Sequence, residues 1–147
     1  MNNTLHPLQQ ISFNHANQAY VVEASAGTGK TWTIERLYIK ALLESSQPYD
    51  ASLPLSVENI LVVTFTNDAT NELKQRIATQ IQTTINTLIV MNKQSLDSKD
   101  DIFLAYLATR TEQFEKDVTL LSRALQNFDQ SAIYTIHGFC KRIIEDY

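Results

Sequence analysis

Glu23-Ala24-Ser25-Ala26-Gly27-Thr28-Gly29-Lys30-Thr31 (EASAGTGKT) follows directly on the apolar run Tyr20-Val21-Val22. Small residues, two glycines and a lysine beside a threonine continue a buried strand poorly, but they suit a turn out of one. Ala24-x-x-x-x-Gly29-Lys30-Thr31 fits the phosphate-binding pattern G-x-x-x-x-G-K-[ST], with alanine at the first glycine. The residue types answer to the chemistry. Small side chains let successive backbone N–H groups turn inward onto phosphate oxygens. A helix starting near Lys30 adds the positive end of its dipole. Lys30 can reach the β- and γ-phosphates, and the Thr31 hydroxyl can ligate Mg²⁺. The competing reading is a strand-to-helix turn that binds nothing, and the strand before and helix after weigh against it.

Working outward, Tyr20–Ala24 reads as a buried strand. Ile34, Leu37, Tyr38, Ala41 and Leu42 repeat at helical spacing from Lys30 to Glu44. Ser45 to Pro54 is rich in Ser and Pro and reads as a loop. Ile60 to Thr64 is a short β-branched strand of the kind found in parallel sheets covered on both faces. Asp68 is placed to cap a long helix with the stripe Leu73, Ile77, Ile81, Ile85 and Leu88. Asn92 to Asp101 is polar and loop-like. Phe114, Val118, Leu121, Leu125 and Phe128 mark another helix. Ala132 to Ile136 reads as a third strand that enters a last helix over Gly138–Tyr147. This alternation predicts an α/β fold, a parallel sheet flanked by helices with right-handed crossovers. Ending inside an amphipathic helix, with sheet edges unpaired, the sequence is expected to be a fragment or first piece of a longer protein.

Composition sets the frame. The chain has 147 residues, 44% of them hydrophobic, enough for one core. A formal net charge of -4 and a pI near 5.3 exclude a global basic signature, so any contact with an anionic polymer is local. The single Cys140 excludes an internal disulfide and fits a reducing compartment. No signal peptide is visible, and no apolar run approaches the roughly 20 residues that span a bilayer. The expectation is a soluble, cytoplasmic chain with no membrane partner.

Two further strand ends carry chemistry. Val62-Val63-Thr64-Phe65-Thr66-Asn67-Asp68 leaves a strand through TFTN, and Ile133-Tyr134-Thr135-Ile136-His137-Gly138-Phe139-Cys140 leaves one through TIHGF. Open α/β sheets place ligands at such carboxyl ends. Hydroxyls and helix-start amides suit phosphates, and rings stack on bases, which fits single-stranded nucleic acid. Core packing is the bland reading of Phe65 and Phe139, and a structural histidine that of His137. Lys74, Arg76, Lys141 and Arg142 either flank a phosphate track or simply face solvent.

EASAGTGKT, VVTFTNDATNELKQRI and YTIHGFCKRII, in that order, resemble motifs I, Ia and Ib of UvrD/RecB-type superfamily 1 DNA helicases, and EASAGTGKT with TIHGFC is most similar to the RecB branch, the exodeoxyribonuclease V β chain. The resemblance covers residues 20–147. It implies a P-loop NTPase (RecA-like) fold, here an incomplete motor domain 1A: an N-terminal segment over 1–19 and a partial helicase ATP-binding domain over 20–147. It implies ATP and Mg²⁺ as cofactors, held by Ala26, Gly27, Thr28, Gly29, Lys30 and Thr31, with Thr31 on the metal. It also implies contacts of Thr64, Phe65, Thr66, Asn67, Thr135, His137 and Gly138 with single-stranded DNA. DNA ends and RecC- and RecD-like subunits would be partners of the longer protein, in double-strand-break repair and recombination. Gln9, Gln10 and Gln18 are the candidates for a glutamine contacting adenine.

A helicase motor also needs an acid pair after a buried strand to hold Mg²⁺ and position water. Glu145-Asp146 lies on a helical repeat with Phe139 and Ile143, and reads as a solvated face. Asp100-Asp101 follows no apolar run. The chain alone is therefore expected to lack helicase activity and to bind nucleotide weakly at best. The alternatives are a non-motor P-loop nucleotide-binding module and, less well matched, a small-molecule P-loop kinase, which leaves TFTN and TIHGF without a role.

Overall fold

The computed structural model describes residues 5–13, 19, 29–47 and 50–146. The expected strand Tyr20–Ala24 and most of the glycine-rich turn lie outside the described residues. Those that are described form a mixed α/β structure, with a short parallel sheet packed on helices. In chain order these are helices α1 (Pro7–Gln10) and α2 (Lys30–Glu44), strands β1 (Ser46–Gln47), β2 (Asp50–Pro54) and β3 (Leu61–Thr64), helices α3 (Asn67–Lys93), α4 (Ile102–Ala108) and α5 (Phe114–Gln126), strand β4 (Ala132–Thr135), and helix α6 (Ile136–Asp146).

β3 and β4 pair in parallel, with Val62 opposite Ile133 and Thr64 opposite Thr135. Alternation along a strand sends Val62 and Ile133 to one face, where Ile133 is fully buried. Leu61 and Val63 point the other way and stay 48% and 39% exposed. Only one face of this sheet is thus covered among the described residues, where the sequence suggested two.

The core lies beneath the covered face. The predicted stripe of α3 is confirmed residue for residue: Leu73, Ile77, Ile81, Ile85 and Leu88 are all buried against α2, α5 and β4. Full burial stabilises each such side chain by about 1.5–3 kcal/mol over exposure, enough to fix the helix's orientation. Of the predicted α2 stripe, Tyr38, Ala41 and Leu42 are buried and Leu37 packs against the core. Tyr38, Ile39, Leu42 and Leu43 go deepest, while Ile34 is 39% exposed.

Two local readings are corrected. The Ser45–Pro54 loop contains the β1–β2 antiparallel hairpin. α3 starts at Asn67, one residue before Asp68, because the Thr66 hydroxyl accepts from the Ala69 amide at 3.1 Å and takes the cap. Beyond the Asn92–Asp101 loop, where the sequence named no element, α4 forms because Asp101 caps it, its Oδ1 accepting from the Phe103 and Leu104 amides at 2.9 and 3.0 Å.

The N-terminal residues join the same core. Leu8 and Ile11 are buried, and the Lys40 ammonium donates to their carbonyls at 2.9 and 2.6 Å. The Glu44 carboxylate accepts from the Phe13 amide and the Tyr106 hydroxyl, each at 3.0 Å. These contacts strap residues 6–13 along α2. No helix among the described residues is long and apolar enough to cross a membrane.

Candidate nucleotide and nucleic-acid site

Because β3 and β4 are parallel and in register, the two motif-bearing strand ends emerge side by side. β3 runs through Phe65 and Thr66 into α3, and β4 runs directly into α6. The predicted strand Ala132–Ile136 ends one residue early, so Ile136, His137 and Gly138 form the first turn of α6. Each junction is built by a threonine. Thr66 caps α3, and Thr135 Oγ1 accepts from the Gly138 amide at 3.0 Å. A Cβ at Gly138 would sit 3.0 Å from that same oxygen, so glycine lets the turn close onto the hydroxyl.

A third hydroxyl locks the first junction. Thr70, buried in the second turn of α3, hydrogen-bonds the Thr64 hydroxyl and donates to the Thr66 carbonyl at 3.0 Å. Thr64, Thr66 and Thr135 therefore spend their hydroxyls on shaping the strand ends. What faces outward is the Phe65 ring, 89% exposed, with the side chains of Asn67 and His137. The first amides of α3, at Asn67 and Asp68, have no intrahelical acceptor. Core packing, the bland reading of Phe65, is excluded by this exposure. Phe139 is half-buried, its ring stacked on Tyr134 with centroids 6.4 Å apart.

At the start of α2, Gly29 has φ 82°, a left-handed conformation that glycine adopts without penalty. It occupies the N-cap without a side-chain hydrogen bond, leaving the first amides of the helix without acceptors among the described residues, and Lys30 is exposed. A sharp glycine turn, free amides and a cation fit an anionic group. Ala26, Gly27 and Thr28 lie outside the described residues. No cluster of three or more His, Cys, Asp or Glu among the described residues would hold a metal ion on its own. Of the glutamines proposed for adenine, Gln9 uses its side-chain carbonyl to accept from the His6 amide at 3.0 Å, while Gln18 is not described.

Of the four basic residues after the strand ends, three are ion-paired. Arg76 reaches Glu35 at 2.6 Å and Glu72 at 3.4 Å, which holds its guanidinium above the ordinary arginine range. Lys141 and Arg142 pair at 3.9 and 3.8 Å with Glu145 and Asp146 along α6, all four exposed, as a solvated helix face requires.

A family model for the UvrD/REP helicase N-terminal domain matches residues 5–147. The chain belongs to the UvrD/REP helicase family. Among curated relatives, the RecBCD enzyme subunit RecB of Haemophilus influenzae is 48% identical over 133 residues, 89% of this chain and 11% of that protein. RecB of Buchnera aphidicola subsp. Schizaphis graminum is 42% identical over 127 residues, 86% of this chain and 10% of its own. RecB of Escherichia coli K12 is 38% identical over 133 residues, 84% and 10% respectively. The chain thus spans about a tenth of the length of the relatives it matches.

Within this UvrD/REP region, the sequence located both strand ends and the helix start behind Gly29. It missed Thr70 and Glu35, which build the site without facing it. A hydroxyl spaced i+4 from Thr66 was the available signal for Thr70. Glu35 gave none, since an acid on a helix usually faces solvent.

Proposed function

We propose that this chain is the nucleotide-binding N-terminal part of a RecB-like, ATP-dependent DNA helicase subunit, with the P-loop (RecA-like) architecture of a partial motor domain 1A over residues 20–147. The observation that carries the reading is the in-register pairing of β3 with β4, which sets the Phe65 junction beside the His137 junction. Two capped helix starts and an exposed ring on one sheet edge suit a single strand, with amides for phosphates and Phe65 for a base. Ala26 to Thr31 would hold the phosphates of ATP, with Lys30 as counter-charge and the Thr31 hydroxyl on Mg²⁺. Bound Mg-ATP supplies the phosphoryl-transfer chemistry. Gly29 keeps the turn tight, and the first amides of α2 orient the anion. In the longer protein, RecC- and RecD-like subunits and DNA ends are the partners, the setting is cytoplasmic double-strand-break repair and recombination, and the exonuclease V activity resides there.

The test is titration with a fluorescent ATP analogue and Mg²⁺, with and without a short single-stranded oligonucleotide. Lys30→Ala should weaken analogue binding about 10- to 100-fold, the value of a charge-assisted contact. Phe65→Ala should weaken oligonucleotide binding by about 5- to 100-fold, as loss of one base stack does. Analogue binding indifferent to Lys30→Ala sinks the nucleotide site. Binding lost with Lys30 but no oligonucleotide affinity favours a non-motor nucleotide-binding module.

A further inference from the structure

α2 and α3 lie against each other, and one charged contact bridges them where they meet. The Glu35 side chain is buried, yet its carboxylate is shared between two arginines. Oε1 accepts from Arg76 Nε at 2.6 Å across the helix pair, and Oε2 accepts from Arg36 Nη1 at 3.1 Å. Arg36 in turn donates to the Trp32 carbonyl at 3.1 Å and lies over the Trp32 ring, 4.1 Å from its centroid. These side chains line a polar cleft of about 440 Å³ between the helices, with Gln75, Thr79 and Gln80. Trp32 lies two residues beyond Lys30, in the first turn of α2.

The other end of this relay is equally firm. Thr70 ties the start of α3 to the end of β3, where Phe65 projects. From Thr66 to Arg76 the helix is uninterrupted, so a displacement at the strand end moves Arg76 with it. A buried carboxylate stripped of one arginine is costly, so the geometry favours α2 following α3 over the contact opening.

We propose that Glu35 and Arg76 are positioning residues that couple the Phe65 strand end to the phosphate-binding turn at Gly29–Thr31. The coupling rests on the functional reading above and adds to it the route by which one site informs the other. The two ligands then share a rigid pair of helices, and each alters the affinity for the other by the same factor.

Trp32 is the only tryptophan in the chain and reports on the relay directly. The experiment titrates nucleotide-free protein with a labelled thymidine oligonucleotide, following oligonucleotide anisotropy for binding and Trp32 emission for coupling. In the wild type both signals should change with the same midpoint. Arg76→Lys, which keeps the charge, and Glu35→Gln, which keeps the shape, should bind within about twofold of wild type, since both side chains line the cleft between the helices and not the strand end that carries Phe65. Their Trp32 response should be lost. A Trp32 response of wild-type size in both variants overturns the coupling, as does wild-type binding without any response. Absence of oligonucleotide binding by the folded wild type overturns the functional reading, and the coupling with it.

Discussion

Tyr38 carries a hydroxyl with no hydrogen-bond partner among the described residues, although the side chain is only 3% exposed. Its ring stands edge-on to Phe128 at 6.2 Å and borders an apolar hollow of about 170 Å³ with Phe13, Leu37, Ile60 and Val62. Burial raises its ionisation far above the ordinary tyrosine range, and burial followed by the Glu44 charge does the same for Tyr106. In the unfolded chain both ionise near pH 10, while the folded chain keeps its protons. Above that pH the unfolded state holds fewer protons, so stability falls as pH rises. The urea midpoint should therefore drop above about pH 10, and drop less steeply in Tyr38→Phe, which has one such group fewer. At pH 7 Tyr38→Phe should leave the midpoint unchanged or raise it, because an unpaired buried hydroxyl contributes nothing. Equal alkaline slopes in the two proteins would show that Tyr38 ionises freely in the folded state. Periodicity marked Tyr38 as a core position, but whether a hydroxyl finds a partner depends on neighbours distant in sequence.

The helices were legible as elements because their apolar stripes are local facts, and α3 shows it at five positions. The charged residues between those stripes were not. Asp117 has no exposed surface, yet it falls on α5 where a polar residue looks like a solvent position. Arg110 holds it with two bonds, Nε to Oδ2 at 2.9 Å and Nη2 to Oδ1 at 3.0 Å, and also donates to the Leu43 carbonyl at 3.2 Å. The fork fastens the α4–α5 corner to the end of α2, across a 3₁₀ turn over Thr111–Gln113 that breaks any helical repeat between the partners. Asp117→Asn should cost about 3–5 kcal/mol, because it leaves the guanidinium without its counter-charge in the core. Urea denaturation at pH 7 measures this, and a loss below 1 kcal/mol would mean that Arg110 finds water instead. Lys40, Glu44 and Glu35 were hidden for the same reason. Each is a charge buried by partners from another element.

At the scale of the whole molecule, the parallel order of strands was legible from the alternation of elements, and the uncovered face of β3 was not. Glu145 and Asp146 form the solvated helix face the sequence suggested, pairing along α6, while Asp101 caps α4, a role the sequence did not indicate. Neither β3 nor β4 leads into an acid pair that would position water on a phosphate. This 147-residue chain should therefore release no phosphate from ATP above background, with or without oligonucleotide, in a coupled phosphate assay. Turnover stimulated by DNA would show that some other acid supplies the function. The topology has a temporal consequence as well. β3 and β4 are adjacent in the sheet, yet α3, α4 and α5 all lie between them in the chain. During synthesis, the hydrophobic stripe of α3 leaves the ribosome long before Ile133 exists to close over it. Such distant pairing is slow, and the waiting surface invites aggregation. Nascent chains halted before Ala132 should be bound by chaperones for as long as the stripe remains open.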